Sequence, residues 1–333
     1  MNKKIVAFGE IMLRLSPTNH LLLKDTSTFE GCYGGSESNV LVALSALGNR
    51  TEYVTAIPQN EIGEGCIRHL RRQGVGVSHV LRQGNTLGLY FMEPGFGERP
   101  SKVIYHRKHS AVSEISPSDL DYDAIFDGAS LFHVSGISLA LSRTCFDTVL
   151  ALVKEARARE IPVSFDFNYR SKLWSYEEAA PAFRAILPYV DICFGNTFDL
   201  ATFLGIRAES DEKAIAEFFK RYPARVLCFS KRGVISSTVN EYAGYLYTRS
   251  GADVSLVSYG PCRFEILDRI GSGDAFSAGV LHVLSERPDE TETAIRYGVA
   301  AAVLKHSIKG DIFTLSENEI ESFLTQKTKE VQR

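Results

Sequence analysis

The 333-residue chain has six cysteines, Cys32, Cys66, Cys145, Cys193, Cys228 and Cys262, and no two of them stand at a C-x-x-C spacing. Four lie among apolar neighbours, as small core residues do in a reducing compartment; a disulfide frame or a zinc site would need closer pairs. Charge of one sign is also scarce. A formal net charge of -3 gives no overall attraction to nucleic acid or anionic lipid, and neither a helix-turn-helix pattern nor a basic arm is present. The local cluster Arg68, Arg71 and Arg72 has Glu61 and Glu64 nearby, which suits a solvated helix face. Near the N-terminus, Glu10 and Arg14 interrupt the apolar run before a signal-peptide core or membrane span is reached. Linkers, repeats and low-complexity segments are missing. So are the two familiar nucleotide loops: there is no G-x-x-x-x-G-K-[ST], GSGDAF lacks the third glycine of G-x-G-x-x-G, and GVGVSHV at Gly74 fails the same test. These absences argue against a dinucleotide oxidoreductase and favour a soluble, cytoplasmic protein that binds neither nucleic acid nor membrane.

What is present is ordinary globular composition, 44% hydrophobic and 23% charged, in enough chain for a substantial core. The runs KIVAFG, ASLFHVSG, PVSFDFN, VDICFGN and RVLCFS suit strands buried on both faces, and VLVALSAL, RTCFDTVLALVKEARARE and EEAAPAFRAIL suit helices between them. The alternation predicts an α/β fold with a mainly parallel sheet and helices on both sides, a single domain over residues 1–333. Two excursions, residues 11–33 and 87–108, carry strand-like alternation without a helix and are expected to form a small antiparallel sheet, a candidate lid.

Four stretches carry candidate chemistry. In FEILDRIGSGDAF, a strand, then Gly271, Ser272 and Gly273, then a helix from Asp274 make a cradle whose backbone N–H groups and helix dipole favour an anion. A carboxylate there repels phosphate. Asp274 makes sense as a base that takes a proton from an attacking hydroxyl, or as a helix cap, and this segment alone leaves both open. In YGGSESN, Gly34 and Gly35 precede Ser36, a plausible cap, and Asn39, able to pair with hydroxyls; a simple helix start remains the alternative. In SFDFNYR, Asp166, Asn168 and Arg170 follow a buried strand at alternate positions and are expected to point the same way at its C-terminal end. In KVIYHRKH, Tyr105 and Arg107 are two apart and expected to share a strand face, with an exposed arginine as the alternative. The spacing of His106 and His109 splits them across two faces, against a metal site.

Together these stretches resemble the ribokinase-type sugar kinases, the phosphofructokinase B family, over nearly the whole chain. GGSESNVLVALSALG is similar to the family's first signature and DRIGSGDAF to its second. The resemblance implies a three-layer α/β/α sandwich with a small β-sheet lid, Asp274 as the base, Gly271, Ser272 and Gly273 as the anion hole, and ATP with magnesium as the phosphoryl donor. It places Asn196, with Asp199, near magnesium and phosphate, and Ser230, Lys231 and Gly233 along ATP. Within the family the likeness is to the branch acting on 2-keto-3-deoxygluconate, carried by Tyr105, Arg107, Arg170 and KHSIKGD, with Tyr90 lining the same pocket. Two arginines suit a carboxylate, which a neutral sugar lacks. A fructokinase, another sugar-acid kinase and a catalytically silent sugar-binding regulator on the same scaffold are the alternatives. The sequence departs from the family at Asp199 for glutamate, Arg269 for threonine, Pro58 for glycine and Ser236 for glycine. The resemblance also implies a homodimer through the lid, and it leaves open whether potassium supports the loop near Asp268.

Overall fold

The computed structural model describes residues 4–96, 98–236, 238–251 and 253–325. Its strands are, in chain order, β1 (Lys4–Phe8), β2 (Met12–Pro17), β3 (Phe29–Gly34), β4 (Arg50–Ile57), β5 (Val75–Arg82), β6 (Gly88–Glu93) and β7 (Lys102–His106). They continue with β8 (Ala129–Ser135), β9 (Val163–Asp166), β10 (Ile192–Phe194), β11 (Val226–Val234), β12 (Val239–Ser250) and β13 (Asp253–Glu265). Nine of them form one sheet in the order β13-β12-β11-β10-β9-β8-β1-β4-β5. From β11 to β5 every pairing is parallel, whereas β11 to β12 and β12 to β13 are antiparallel.

The residues of β1 show why this sheet is covered on both faces. Ile5 and Ala7 join one apolar core, and Val6 and Phe8 join another, as the two-residue period of a strand requires. The first core is closed by the helices Ser36–Ala46, Glu61–Arg72, Ser272–Glu286 and Thr291–Lys305, the second by Arg143–Ala158, Tyr176–Ile186, Thr197–Leu204 and Asp211–Arg221. Cys66, Cys145, Cys193 and Cys228 are buried in these cores and Cys32 and Cys262 are half-buried, all as free thiols. No described helix is long and apolar enough to cross a membrane.

The two excursions do form a second sheet, β3-β2-β6-β7. It is mixed rather than antiparallel: β2 and β6 run parallel. The chain between them passes through β4 and β5 of the large sheet, and so returns to the small one in the same direction. The antiparallel hairpin of β12 and β13 is an addition to the mainly parallel sheet expected from the sequence. Its edge strand alternates exposed and half-buried residues, and Gly251 at φ +63° turns the chain.

Strand order reverses direction at β1, with β8 on one side and β4 on the other. Ligands of open α/β sheets bind beyond the strand C-termini at such a point. Ser135 ends β8 and Asp166 ends β9 at this rim.

Candidate active site

Asp274 lies in the first turn of the helix Ser272–Glu286, not at its cap. The cap is Gly271, in the left-handed region at φ +80°, with no side-chain cap hydrogen bond. The Asp274 carboxylate instead points across to the start of another helix. Ser36 Oγ donates to its Oδ1 at 2.9 Å and Asn39 Nδ2 donates to its Oδ2 at 2.7 Å. Burial pushes its pKa up to about 6, against the lowering effect of the Asn39 and Ser36 hydrogen bonds and of Arg170. Of the two readings left open by the segment, the cap is therefore removed by geometry. A Cβ added to Gly273 would meet no atom within 4 Å, so the cradle opens to free space beside the first N–H groups of the helix.

Ser36 is likewise not the cap expected from sequence. The cap is Gly35, and Ser36 is the first residue of the helix, which frees its hydroxyl for Asp274. Asn39 is oriented by the Gly35 N–H, which donates to its Oδ1 at 3.2 Å. The turn is anchored from below by Glu37, a fully buried carboxylate that sequence reasoning missed. Its Oε1 accepts from the Ser135 N–H at 3.0 Å, the Ser135 hydroxyl at 2.8 Å and the Ser138 hydroxyl at 2.8 Å, and burial raises its pKa. The polar run Ser36, Glu37, Ser38 and Asn39 before an apolar helix gives only a weak signal that Glu37 turns inward.

Asp166, Asn168 and Arg170 do gather at this point, but not through strand alternation. The strand ends at Asp166, and Asn168 sits at φ +38°, so the polypeptide turns there. Asp166 Oδ1 accepts from the Asn168 N–H at 3.0 Å, and Asn168 Nδ2 donates to Ser36 Oγ at 2.7 Å. A continuous relay thus runs from Asn168 through Ser36 to Asp274. Burial and then the Asp274 charge raise the Asp166 pKa to about 7, while the exposed Arg170 pulls it down.

The second arginine is arranged differently from the sequence expectation. β7 stops at His106, so Arg107 leaves the strand face of Tyr105 and is buried, 8% exposed. It forms an ion pair with buried Glu10, and its guanidinium carbon lies 5.5 Å from the Tyr105 ring centre. Arg107 Nε has no hydrogen-bond partner among the described residues. Tyr90 packs 5.9 Å from Tyr105, but its hydroxyl donates to Asp311. That carboxylate also receives Arg14 Nη1 at 2.7 Å, and Arg14 Nη2 reaches Asp268 at 3.0 Å. Arg14 stands 297 residues before Asp311, and no local spacing in the chain connects the two.

Asn196 and Asp199 form a capping box for the helix Thr197–Leu204. Asn196 Oδ1 accepts from the Phe198 and Asp199 N–H groups at 2.8 and 3.2 Å, and Asp199 Oδ2 accepts from the Asn196 N–H at 2.9 Å. Burial raises the Asp199 pKa to about 6. Ser230, Lys231 and Gly233 lie inside β11, paired with Gly244, Ala243 and Glu241 of β12. Lys231 lies over the rings of Phe229 and Tyr245, with its ammonium 3.8 Å from Asp211.

Residues 2–318 match the pfkB family carbohydrate kinase. A relative from Haloferax volcanii named 2-dehydro-3-deoxygalactonokinase is 32% identical, the alignment covering 97% of this chain and 97% of the relative. A 5-dehydro-2-deoxygluconokinase from Bacillus licheniformis is 29% identical over 95% of this chain and 94% of its own. The crystal structure of a 2-dehydro-3-deoxygluconokinase from Thermotoga maritima superposes with a TM-score of 0.89 at 36% identity, covering 97% of this chain and all of that one.

Proposed function

Because the chain belongs to the pfkB family of carbohydrate kinases and has its ribokinase-like α/β fold, we propose that it phosphorylates 2-keto-3-deoxy-D-gluconate on the C6 hydroxyl, using ATP and magnesium, to give 2-keto-3-deoxy-6-phosphogluconate. The observation that carries the reading is Asp274, held by Ser36 and Asn39 beside an open helix N-terminus. At neutral pH a carboxyl with a pKa of about 6 is mostly ionised and still basic enough to accept a proton.

ATP with magnesium supplies the phosphoryl group and neutralises part of its charge. The chain supplies the rest. Asp274 accepts the C6 hydroxyl proton as that oxygen bonds to phosphorus and the bond to the departing ADP oxygen breaks. Gly271, Ser272 and Gly273 present backbone N–H groups to the charge that develops on the transferred group. Asn196, Ser230, Lys231 and Gly233 are assigned to the magnesium nucleotide, with Asp199 holding the Asn196 backbone beside it. Gly34, Gly35, Asn39, Asp166 and Asn168 take the sugar hydroxyls.

An acidic sugar suits the two arginines. Buried Arg107 carries an Nε–H without an acceptor among the described residues, and exposed Arg170 lies where its charge is felt by both Asp166 and Asp274. Tyr105 closes over the same guanidinium, and Tyr90 packs behind it. The names of the relatives divide between the gluconate and galactonate forms of the 2-keto acid and a 5-keto isomer, so each belongs in the test.

The test is coupled ADP detection with the three keto-deoxy acids and fructose, for the wild type and Arg107→Lys. Lysine keeps a cation for Glu10 but lacks the planar fork. The expected result is highest kcat/KM for 2-keto-3-deoxygluconate, with its KM raised about tenfold or more in the variant. Preference for fructose, or an unchanged KM for the acid, rejects the substrate reading.

A further inference from the structure

The large sheet has a second rim, at the N-terminal ends of its parallel strands, and a cavity of about 320 Å³ opens there. Its wall includes Ser130 of β8, Arg159 and Glu160 in the turn before β9, Arg225 just before β11, and Ser285 at the end of the helix Ser272–Glu286. Gly271 caps the far end of that 15-residue helix, so about 20 Å separates the cavity from the catalytic constellation.

The other arginines at this rim have partners. Arg157 reaches Asp191 at 3.0 Å, and the second Asp191 oxygen accepts from the Val163 N–H at 2.9 Å. Arg159 reaches Asp123 at 2.8 Å and Glu155 at 3.2 Å. Arg249 donates to the Phe219 and Pro223 carbonyls at 3.1 and 3.4 Å. The Arg225 side chain, by contrast, makes no ion pair or hydrogen bond among the described residues, and its Nε is fully buried without an acceptor. An unpaired buried N–H is costly, and a planar guanidinium on a cavity wall suits a carboxylate held through two parallel bonds.

The rest of the wall offers acceptors. Glu160 closes the helix Arg143–Ala158 in the left-handed region at φ +58°, a position that glycine usually fills. The Glu160 N–H donates to the Arg157 carbonyl at 3.1 Å and the Ile161 N–H to the Ala156 carbonyl at 2.9 Å. A carboxylate is thus placed where a side chain is disfavoured. The Ser130 and Ser285 hydroxyls donate to the Lys4 and His282 carbonyls at 3.3 and 3.1 Å, and each keeps lone pairs free to accept. Two helices end at this wall, and their dipoles disfavour a bare anion such as phosphate. A neutral polyol would leave Arg225 unpaired.

We propose that this cavity is a second ligand site, for a small hydroxylated carboxylate: its carboxylate pairs with Arg225 and its hydroxyls donate to Glu160, Ser130 and Ser285. The site shares no residue with the catalytic one, and it depends neither on the identity of the sugar nor on the role of Asp274.

The test follows the Arg225 Nε–H resonance by NMR during titration with D-glycerate, with acetate and glycerol as probes that carry only one of the two groups. Arg225→Lys assigns the resonance by its disappearance. Glycerate is expected to shift it saturably, with acetate and glycerol about tenfold weaker or more. Glu160→Gly suits the left-handed backbone and so keeps the fold, while it removes an acceptor; it is expected to weaken glycerate about tenfold and leave acetate unchanged. Arg107→Lys, altered only in the catalytic pocket, leaves the titration as in the wild type. Absence of a saturable shift at millimolar glycerate, acetate binding as tightly as glycerate, or loss of the shift in Arg107→Lys overturns the proposal.

Discussion

The helices Thr197–Leu204 and Ser272–Glu286 both carry an aspartate at the third helical position, Asp199 in one and Asp274 in the other. In both, burial pushes the carboxyl pKa up to about 6. Asp199 bends back onto its own cap, accepting from the Asn196 N–H, while the Asn196 side chain reciprocates. Asp274 finds only a glycine at its cap, with no side chain to complete a box, and its carboxylate turns outward to Ser36 and Asn39 of a different helix. Residue type, helix position and the direction of the pKa shift are thus shared. The partners differ, and they decide whether a carboxylate ends a helix or faces a substrate. A capping box satisfies orphan N–H groups locally; a carboxylate held by two neutral side-chain donors keeps its basicity available.

The comparison is broken most directly by neutralising each aspartate in turn. Asp274→Asn is expected to lower turnover on the order of 10² to 10⁴-fold, the range for loss of a general base, while equilibrium binding of the sugar is retained. Near-normal turnover would make Asp274 a second structural residue. Asp199→Ala is expected to act chiefly on stability, lowering it by about 1 kcal/mol in denaturant unfolding through loss of the capping box. Its turnover should stay within about tenfold of the wild type, an indirect effect through Asn196 and the nucleotide. A loss as large as that of Asp274→Asn would place Asp199 in the catalytic machinery and remove the contrast.

Much of the architecture was legible because apolar periodicity survives in a single strand. KIVAFG divides its side chains between two cores and could only be buried on both faces. The small sheet was legible from residues 11–33 and 87–108, but the parallel pairing of β2 and β6 depends on the route of the intervening chain, which alternation does not encode. The hairpin of β12 and β13 escaped because its strands are long and partly polar, without the continuous apolar run that marked the others.

At the site, Asp274 and Asn39 were marked by the glycines before them. Ser36 was misassigned because a serine after two glycines has the composition of a cap, and one residue of displacement changes its role. The alternate spacing of Asp166, Asn168 and Arg170 pointed to the right cluster for an incorrect reason: the strand ends and a positive φ at Asn168 gathers them. Arg107 was marked as an anion ligand, yet its partner Glu10 lies in another strand's exit and leaves no trace in local spacing. The same holds for Arg14, Asp268 and Asp311, whose association exists only in three dimensions.

The central claim is that Asp274 works as a base, and the pH dependence of kcat/KM tests it most directly. The base must be ionised, so activity is lost as pH falls through its folded-state pKa and is fully present above it. Asp274 at about 6 and Asp166 at about 7 influence one another, so the acid limb reports the pair. The account predicts a limb between those two values with roughly tenfold loss per pH unit below it, and disappearance of that ionisation from the residual activity of Asp274→Asn. A wild-type profile flat down to pH near 5, or a limb that persists unchanged in Asp274→Asn, would contradict it.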